Sequence, residues 1–272
     1  MPLKLGVITS LDINPGERIA KVAELGLPTC QLACWETELF TDEIAQKVVE
    51  ACRKYGVEVS SLWAGYPGPA AWNFTEGPST LGFVPPQYRE MRIEAMAKAV
   101  KFAKLIKTPS ITTHAGFIPE NPADPLYEGT IEALKRVAKM CLDNGLGFWF
   151  ETGQETPVTL LRAICDINTG NLGINLDPAN LILYGKANPV DALDVFGKYV
   201  KGVHAKDGLY PTNPRELGQE TPLGEGKVNF PVLIPKLKSL GFNGAITIER
   251  EISGPQQTAD IKRAIELLTP LL

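Results

Sequence analysis

Four side chains that can bind a metal ion or transfer a proton stand at the ends of apolar, strand-like segments: Glu151, Asp177, His204 and Glu249. They are 26, 27 and 45 residues apart, close to one strand-plus-helix unit each. Alone, each could be a helix cap or a surface group. Converging at one site, three carboxylates and an imidazole would repel one another or remain hydrated unless a cation held them. This donor set suits a divalent ion of the manganese, magnesium or cobalt kind better than structural zinc, which prefers sulfur and nitrogen.

The only two histidines of the chain, His114 and His204, both fall at the ends of predicted strands. Chance would seldom place both there, because such positions make up only about a tenth of an eight-stranded barrel. This placement gives independent support for a site at the strand ends. For each histidine, a hydrogen-bonded core residue is the alternative interpretation.

The elements that position these residues alternate along the chain. Eight β-branched or apolar segments are predicted as strands: 4–9, 29–33, 57–63, 109–114, 147–152, 172–177, 202–206 and 245–249. Longer amphipathic segments follow them, with predicted helices beginning near Gly16, Thr41, Pro86, Leu126, Pro157, Pro189, Phe230 and Thr258. In 90–102 apolar residues recur at steps of three and four, as on one face of a helix. The predicted fold class is therefore α/β, a single (β/α)8 TIM barrel domain over residues 1–272.

The connections between these elements differ at the two ends of the predicted barrel. Helix-to-strand connections are short and contain a glycine suited to a helix C-cap, at positions 26, 56, 145 and 241. Strand-to-helix connections such as 64–85, 115–125 and 207–227 are long, and long loops in compact domains are commonly functional. Because barrel enzymes place their chemistry at the carboxyl ends of the strands, the predicted site lies where the long loops are.

The composition excludes several classes of protein. The chain has 272 residues, 44% hydrophobic and 21% charged, with a net charge of −4, as in an ordinary soluble globular protein. No apolar run reaches the ~18 residues of a membrane span, and no basic block suits a nucleic acid. Because the five cysteines show no usual zinc spacing, we expect reduced thiols in a cytoplasmic protein. The strand-like start of the chain predicts no signal peptide.

Short motifs surround the four strand ends: Phe-Glu-Thr at 150–152, Asn-Leu-Asp at 175–177, Val-His-Ala-Lys-Asp at 203–207 and Ile-Glu at 248–249. The segments 223–230 and 241–244 add a pattern near the end of the barrel. Together they resemble the xylose isomerase-like TIM barrel superfamily, and within it the sugar phosphate isomerase/epimerase group, which includes the ketose 3-epimerases. The resemblance spans essentially the whole chain.

The resemblance implies a metal-dependent sugar isomerase or epimerase. One divalent ion would be bound by Glu151, Asp177, His204 and Glu249. Manganese is the preferred ion, and magnesium, cobalt and zinc are alternatives. The two glutamates would also be the catalytic base and acid. The substrate would be a keto-sugar or its phosphate, converted by proton transfer through a metal-bound cis-enediolate.

Substrate contacts are predicted around this centre. His114 and Lys206 could hold a substrate oxygen or form a structural interaction, and Trp35 and Trp63 could form an apolar wall against a sugar or close the barrel mouth. Asn180 stands where the better-known epimerases carry a histidine, three residues after the metal aspartate. Tyr210 stands where those enzymes carry an arginine. Both differences are expected to change how the substrate is recognised. Glu155, near the rim, is predicted to be a surface charge.

Other functions remain open at this stage. A lyase or dehydratase acting on a keto-sugar or keto-polyol would share the first proton abstraction, and a non-catalytic carbohydrate- or metal-binding barrel would need no turnover. A DNA-repair endonuclease of the same superfamily is disfavoured, because its trinuclear zinc cluster needs more than two histidines. An aldose–ketose isomerase generally needs a second metal, for which Asp207 is the evident spare ligand. Exposed aromatic residues in the long loops would suit a partner subunit, so a homo-oligomer is also open.

Overall fold

The computed structural model describes residues 3–272; Met1 and Pro2, the first residues of the predicted domain, lie outside the described residues. The elements are β1 (Lys4–Ser10), α1 (Pro15–Glu24), β2 (Thr29–Cys34), α2 (Asp42–Tyr55), β3 (Glu58–Ala64), α3 (Gly77–Thr80), α4 (Arg89–Leu105), β4 (Ser110–His114), α5 (Pro125–Asp143), β5 (Gly147–Glu151), α6 (Pro157–Ile167), β6 (Leu172–Leu176), α7 (Pro178–Leu183), α8 (Pro189–Phe196), β7 (Val200–Ala205), β8 (Asp207–Leu209), β9 (Gln219–Thr221), α9 (Phe230–Ser239), β10 (Ala245–Ile248) and α10 (Pro255–Leu268). Short 3-10 turns lie at Thr37–Leu39, Pro86–Tyr88, Gly197–Tyr199 and Thr269–Leu271.

Within residues 3–272, eight parallel strands close into a barrel in the order β1-β10-β7-β6-β5-β4-β3-β2. The first and last strands of the chain close the cylinder, with Lys4 opposite Ala245 and Val7 opposite Ile248. Helices surround the strands and bury the outer apolar faces in one continuous core. The predicted α/β class and (β/α)8 architecture are therefore confirmed. No helix of the described residues is long and apolar enough to cross a membrane.

The helices begin where the backbone favours a helix start. Six of them have proline as the first residue, namely α1, α5, α6, α7, α8 and α10. Proline suits this position because an N–H group there has no intrahelical partner, so its absence costs no hydrogen bond. The helix predicted near Pro86 begins at Arg89, because a 3-10 turn comes first. Gly56 ends α2 in the left-handed conformation (φ 68°) expected of a C-cap glycine.

Three features of the connections were not predicted: a single helical turn, a β-hairpin and a short helix. The loop at 64–85 contains the single helical turn α3, and the segment 207–227 contains the antiparallel hairpin of β8 and β9. The third feature, α7, begins directly after Asp177, where an aspartate followed by proline forms a capped helix start. All three lie after the carboxyl ends of strands, so they shape the barrel mouth.

The inside of the barrel contains buried polar side chains as well as apolar ones. Ser61 on β3 is 2.8 Å from the Thr112 hydroxyl on β4, and Ser110 donates to Ser61 at 2.9 Å. Gln31 on β2 contacts His204 on β7 at 2.6 Å. Because β2 and β7 are not neighbours in the sheet, this last contact crosses the barrel interior.

Candidate metal centre and cavity

Glu151, Asp177, His204 and Glu249 meet at the carboxyl ends of four neighbouring strands, β5, β6, β7 and β10. One ligand atom from each lies within 4.8 Å of the others. His204 Nδ1 is 2.9 Å from Glu151 Oε1, 2.7 Å from Glu249 Oε2 and 3.8 Å from Asp177 Oδ2. The structure thus brings together the four residues predicted from the sequence.

Glu151 and His204 each have two polar side-chain atoms. One of them contacts a residue outside the cluster, and the other faces the cluster. Glu151 Oε2 accepts a hydrogen bond from the indole N–H of Trp63 and lies 3.2 Å from His114 Nε2, so Oε1 faces His204. His204 Nε2 is 2.6 Å from Gln31 Oε1, which leaves Nδ1 toward the carboxylates. His114 and Trp63, both predicted as substrate contacts, therefore also orient Glu151.

Asp177 has two roles because it follows β6 and also starts α7. Its Oδ1 caps the helix by accepting from the Asn180 backbone N–H at 2.9 Å. The Thr152 hydroxyl fixes the Asp177 backbone, donating to its carbonyl and accepting from its N–H, each at 2.8 Å. Asp177 Oδ2 remains turned toward His204.

The electrostatic environment moves the pKa values of the two glutamates in opposite directions. Burial raises the pKa of Glu151, but the charges of His114 and His204 outweigh it and lower that pKa to about 2. Burial raises the pKa of Glu249 above its ordinary value, although Lys206 and His204 act against it. Paired carboxyl groups whose environments move their pKa values apart are suited to opposite roles as base and acid.

The cluster favours positive charge at its centre. Burial lowers the pKa of His204, but Glu249 and Glu151 overcome this and hold it well above its usual range. Among residues 3–272, Asp177 Oδ2, His204 Nδ1 and Glu249 Oε2 are buried without a hydrogen-bond partner. Buried polar atoms normally have partners, and these lone-pair-bearing atoms repel one another unless a proton or a cation lies between them. Three carboxylates and one imidazole fit a divalent ion.

Lys206, predicted to contact substrate, lies 2% exposed behind the cluster. Its ammonium group is 2.8 Å from Glu251 Oε1, 3.5 Å from Asp177 Oδ2 and 3.9 Å from Glu249 Oε1. Burial lowers its pKa, but these carboxylates raise it well above the usual range, so the group carries a charge. This geometry favours the structural ion pair over a direct hold on substrate.

A cavity of about 390 Å³ opens over the cluster and has Glu151 and Glu249 in its lining. Trp35 and Trp72 are 42% and 40% exposed, and their ring centroids are 6.2 Å apart. Trp63 is buried against Trp35 at 5.1 Å, so it forms the inner part of the same aromatic wall. Volumes of roughly 300–1,000 Å³ are typical of small-molecule sites.

Three further predicted positions have clear locations. Asn180 lines the cavity, and its Oδ1 is 3.4 Å from Lys206 Nζ. Tyr210 lies outside the cavity lining formed by the described residues, and its hydroxyl donates to the Ala187 carbonyl at 3.2 Å. Asp207 accepts four backbone hydrogen bonds of 2.9–3.1 Å, from Gly208 and the 224–228 loop. Its role as a spare metal ligand is therefore not supported, because both carboxylate oxygens are engaged in holding this loop.

Arg92, which was not predicted as a functional residue, holds the loop at 64–85 that contains Trp72. Arg92 is fully buried, and its guanidinium group lies 4.2 Å from the centroid of the Tyr66 ring. It donates to the carbonyls of Pro67, Gly82 and Pro69. An arginine in an amphipathic segment gives no sign of such a role, because its acceptors belong to a loop that precedes the helix.

Glu155 was predicted to be a surface charge, and this prediction was wrong: the residue is 1% exposed, in the loop after β5. Burial raises its pKa to about 8, and neither carboxylate oxygen has a hydrogen-bond partner among the described residues. A carboxyl whose pKa is higher in the folded than in the unfolded state lowers stability as the pH rises between those two values. We therefore expect the free energy of unfolding to fall between about pH 4.5 and 8.

The variant Glu155→Gln should remove this dependence. At pH 8 we expect it to raise the free energy of unfolding by roughly 2 kcal/mol, since one pKa unit corresponds to about 1.4 kcal/mol and relaxation reduces the full shift. Urea unfolding at pH 5 and pH 8 measures the change. Glu94→Gln, at an exposed position of α4, is the control and should leave the pH dependence unchanged. An equally steep decline in Glu155→Gln would contradict the assignment.

The fold and cluster define a class of barrel protein, and comparison identifies the family. The xylose isomerase-like TIM barrel family matches residues 19–271. The chain belongs to this family.

Similar proteins span nearly the whole chain. A xylose isomerase domain protein from Planctomyces limnophilus superimposes with a TM-score of 0.92 and 36% identity, covering 99% of this chain and 97% of the other. A D-tagatose 3-epimerase-like protein superimposes with a TM-score of 0.75 at 23% identity, with the same coverage, and so supports the fold. An uncharacterized Methanocaldococcus jannaschii protein is 25% identical, over 92% of this chain and 85% of its own length.

Proposed function

We propose that this protein is a divalent-metal-dependent isomerase or epimerase that acts on an uncharged keto-sugar by proton transfer. The observation that carries the proposal is the convergence of Glu151, Asp177, His204 and Glu249 beside an aromatic-walled cavity that the two glutamates line. Among the described residues, Asp177 Oδ2, His204 Nδ1 and Glu249 Oε2 have no hydrogen-bond partner. Such a centre suits a substrate that supplies oxygen ligands and develops negative charge.

In this proposal the two glutamates transfer the protons. Glu151 Oε1 and Glu249 Oε2 lie 2.9 Å and 2.7 Å from the same atom, His204 Nδ1. The ionised Glu151 takes the proton from the carbon next to the carbonyl, and Glu249, whose pKa is raised, supplies one from the other side. A bound divalent ion would polarise the substrate oxygens and stabilise the charge left on them. Asp177 and His204 would complete the ligand set.

The lining of the cavity favours a substrate without a phosphate group. Among the described residues that line it, there is no lysine or arginine, and the charged ones are Glu151, Glu249 and Glu251. A phosphate group would be repelled there, because recognition of this anion normally uses arginine, lysine or a helix N-terminus. Trp35 and Trp72 instead offer rings for the apolar face of a sugar.

Proton NMR in D₂O with Mg²⁺-loaded protein and a panel of ketoses and their phosphates tests the proposal. We expect deuterium at one carbon position of an unphosphorylated ketose, with formation of its epimer or isomer and no loss of water. Glu249→Gln protein is the control for adventitious exchange. Exchange confined to phosphorylated sugars would overturn the substrate class.

The same experiment separates the alternative functions. A lyase or dehydratase would release water and give an unsaturated product after the first exchange. A carbohydrate-binding barrel would bind sugar but leave every carbon-bound hydrogen in place with Mg²⁺, Mn²⁺ and Co²⁺ alike. Either result would contradict the proposed isomerase or epimerase activity.

We also propose a cytoplasmic location. It is supported by the five cysteines, which are all free thiols, three of them buried, because free thiols persist in a reducing compartment.

A further inference from the structure

His204 is held from beneath by an amide group that lies outside the substrate cavity. Its Nε2 is 2.6 Å from Gln31 Oε1, and both side chains are buried. A carboxamide oxygen only accepts hydrogen bonds, so Nε2 of the imidazole carries the hydrogen. In the neutral ring Nδ1 then bears the lone pair, and Nδ1 is the atom that faces Glu151, Asp177 and Glu249.

A second amide fixes the orientation of Gln31. Gln31 Nε2 donates to Asn175 Oδ1 at 3.3 Å, which turns the Gln31 oxygen toward His204. The backbone leaves room for this arrangement, because a Cβ atom at Gly202 on β7 would fall 2.5 Å from Asn175 Oδ1. Gln31 and Asn175 are each 1% exposed, so water does not compete freely for these groups.

This amide pair belongs to the other end of the barrel. Gln31 and Asn175 line a cavity of about 560 Å³ at the amino-terminal ends of the strands, together with Lys4, Thr29 and Ala245. Neither residue lines the cavity over the metal centre. Gln31 therefore does not touch a substrate bound there, and any effect it has on the centre must act through His204.

We infer that Gln31, held by Asn175, is a positioning residue that keeps the hydrogen of His204 on Nε2 and so presents Nδ1 to the divalent ion. Partners of this kind orient a metal-binding imidazole and raise its basicity, and losing them typically costs roughly 10–100-fold in metal affinity. The inference rests on the metal centre of the proposed function and assigns a role to a residue far from it in sequence.

The test uses Mn²⁺ alone as the probe and measures its dissociation constant by calorimetry. Gln31→Met removes the acceptor at similar volume and should weaken Mn²⁺ binding roughly 10–100-fold. Gln31→Glu restores an acceptor for Nε2–H and should bind Mn²⁺ at least as tightly as the unchanged protein. Ser61→Ala is the control, because Ser61 is buried inside the same barrel but bonds to Ser110 and Thr112 instead.

A spectroscopic readout separates positioning from a purely structural role. With only two histidines in the chain, nitrogen-15 NMR of the Mg²⁺-loaded protein should show His204 with its hydrogen on Nε2, and Gln31→Met should lose this single state. If Gln31→Met does not fold, Asn175→Ala, which releases the Gln31 amide, should weaken Mn²⁺ binding several-fold. Unchanged Mn²⁺ affinity in Gln31→Met, or in Asn175→Ala where Gln31→Met does not fold, would overturn the inference. Absence of Mn²⁺ binding by the unchanged protein would overturn the metal centre itself.

Discussion

Replacing Glu249 with Gln should lower kcat/KM by roughly 10³-fold, because it removes one of the two groups that transfer protons, and such groups typically contribute 10²–10⁴-fold. The amide keeps an oxygen that can face the ion, so some Mn²⁺ binding should remain. The Glu249 side chain is 12% exposed at the cavity floor, so the substitution should leave the fold intact. Rates of deuterium incorporation into the ketose identified by NMR, measured together with Mn²⁺ affinity, give both quantities.

Glu225→Gln provides the matched control for this substitution. Glu225 forms a partly exposed ion pair with Arg263 and does not line the cavity over the metal centre. It should therefore retain the full rate. Turnover by Glu249→Gln equal to that of the unchanged protein would remove Glu249 from the mechanism, whether or not the ion still binds.

Mn²⁺ should stabilise the folded protein through the same four residues. At a concentration one thousand times its dissociation constant, an ion that binds only the folded state adds about 4 kcal/mol to the free energy of unfolding. For a chain of this length that corresponds to a rise in Tm of roughly 7 °C. Asp177→Asn should abolish most of this rise, because a neutral amide replaces the carboxylate while asparagine remains an equally good cap for α7.

A second aspartate at a helix start, Asp124, distinguishes the loss of a metal ligand from the alteration of a helix cap. Asp124 caps α5 by accepting from the Leu126 N–H at 2.8 Å, and it is half-buried at the start of that helix. Asp124→Asn should keep the full Mn²⁺-induced rise in Tm, measured by differential scanning calorimetry. An undiminished rise in Asp177→Asn would show that the ion binds elsewhere.

The barrel and the convergence of the four residues could be predicted because both depend on local patterns. Alternating apolar segments identify strands and helices, and the ends of parallel strands share one rim. The start of α7 could also have been found, since Asp177 followed by Pro178 is a readable helix start.

The residues that orient the cluster could not be predicted in this way. Trp63 and Glu151 are 88 residues apart, and Gln31 and His204 are 173 apart. Which of their atoms meet depends on the stagger of the strands around the barrel, and no local pattern encodes that stagger. Glu155 was misjudged for a related reason: its neighbours in sequence are typical of a surface loop, whereas its burial comes from elements elsewhere in the chain.

Anomalous diffraction at the manganese edge, from crystals grown in Mn²⁺, would locate the bound ion. We expect one peak between Glu151 Oε1, Asp177 Oδ2, His204 Nδ1 and Glu249 Oε2, with each atom at about 2.0–2.6 Å, the range for divalent ions. Saturating Mn²⁺ with no peak at this point, or a peak bound by other residues, would contradict the proposed metal centre.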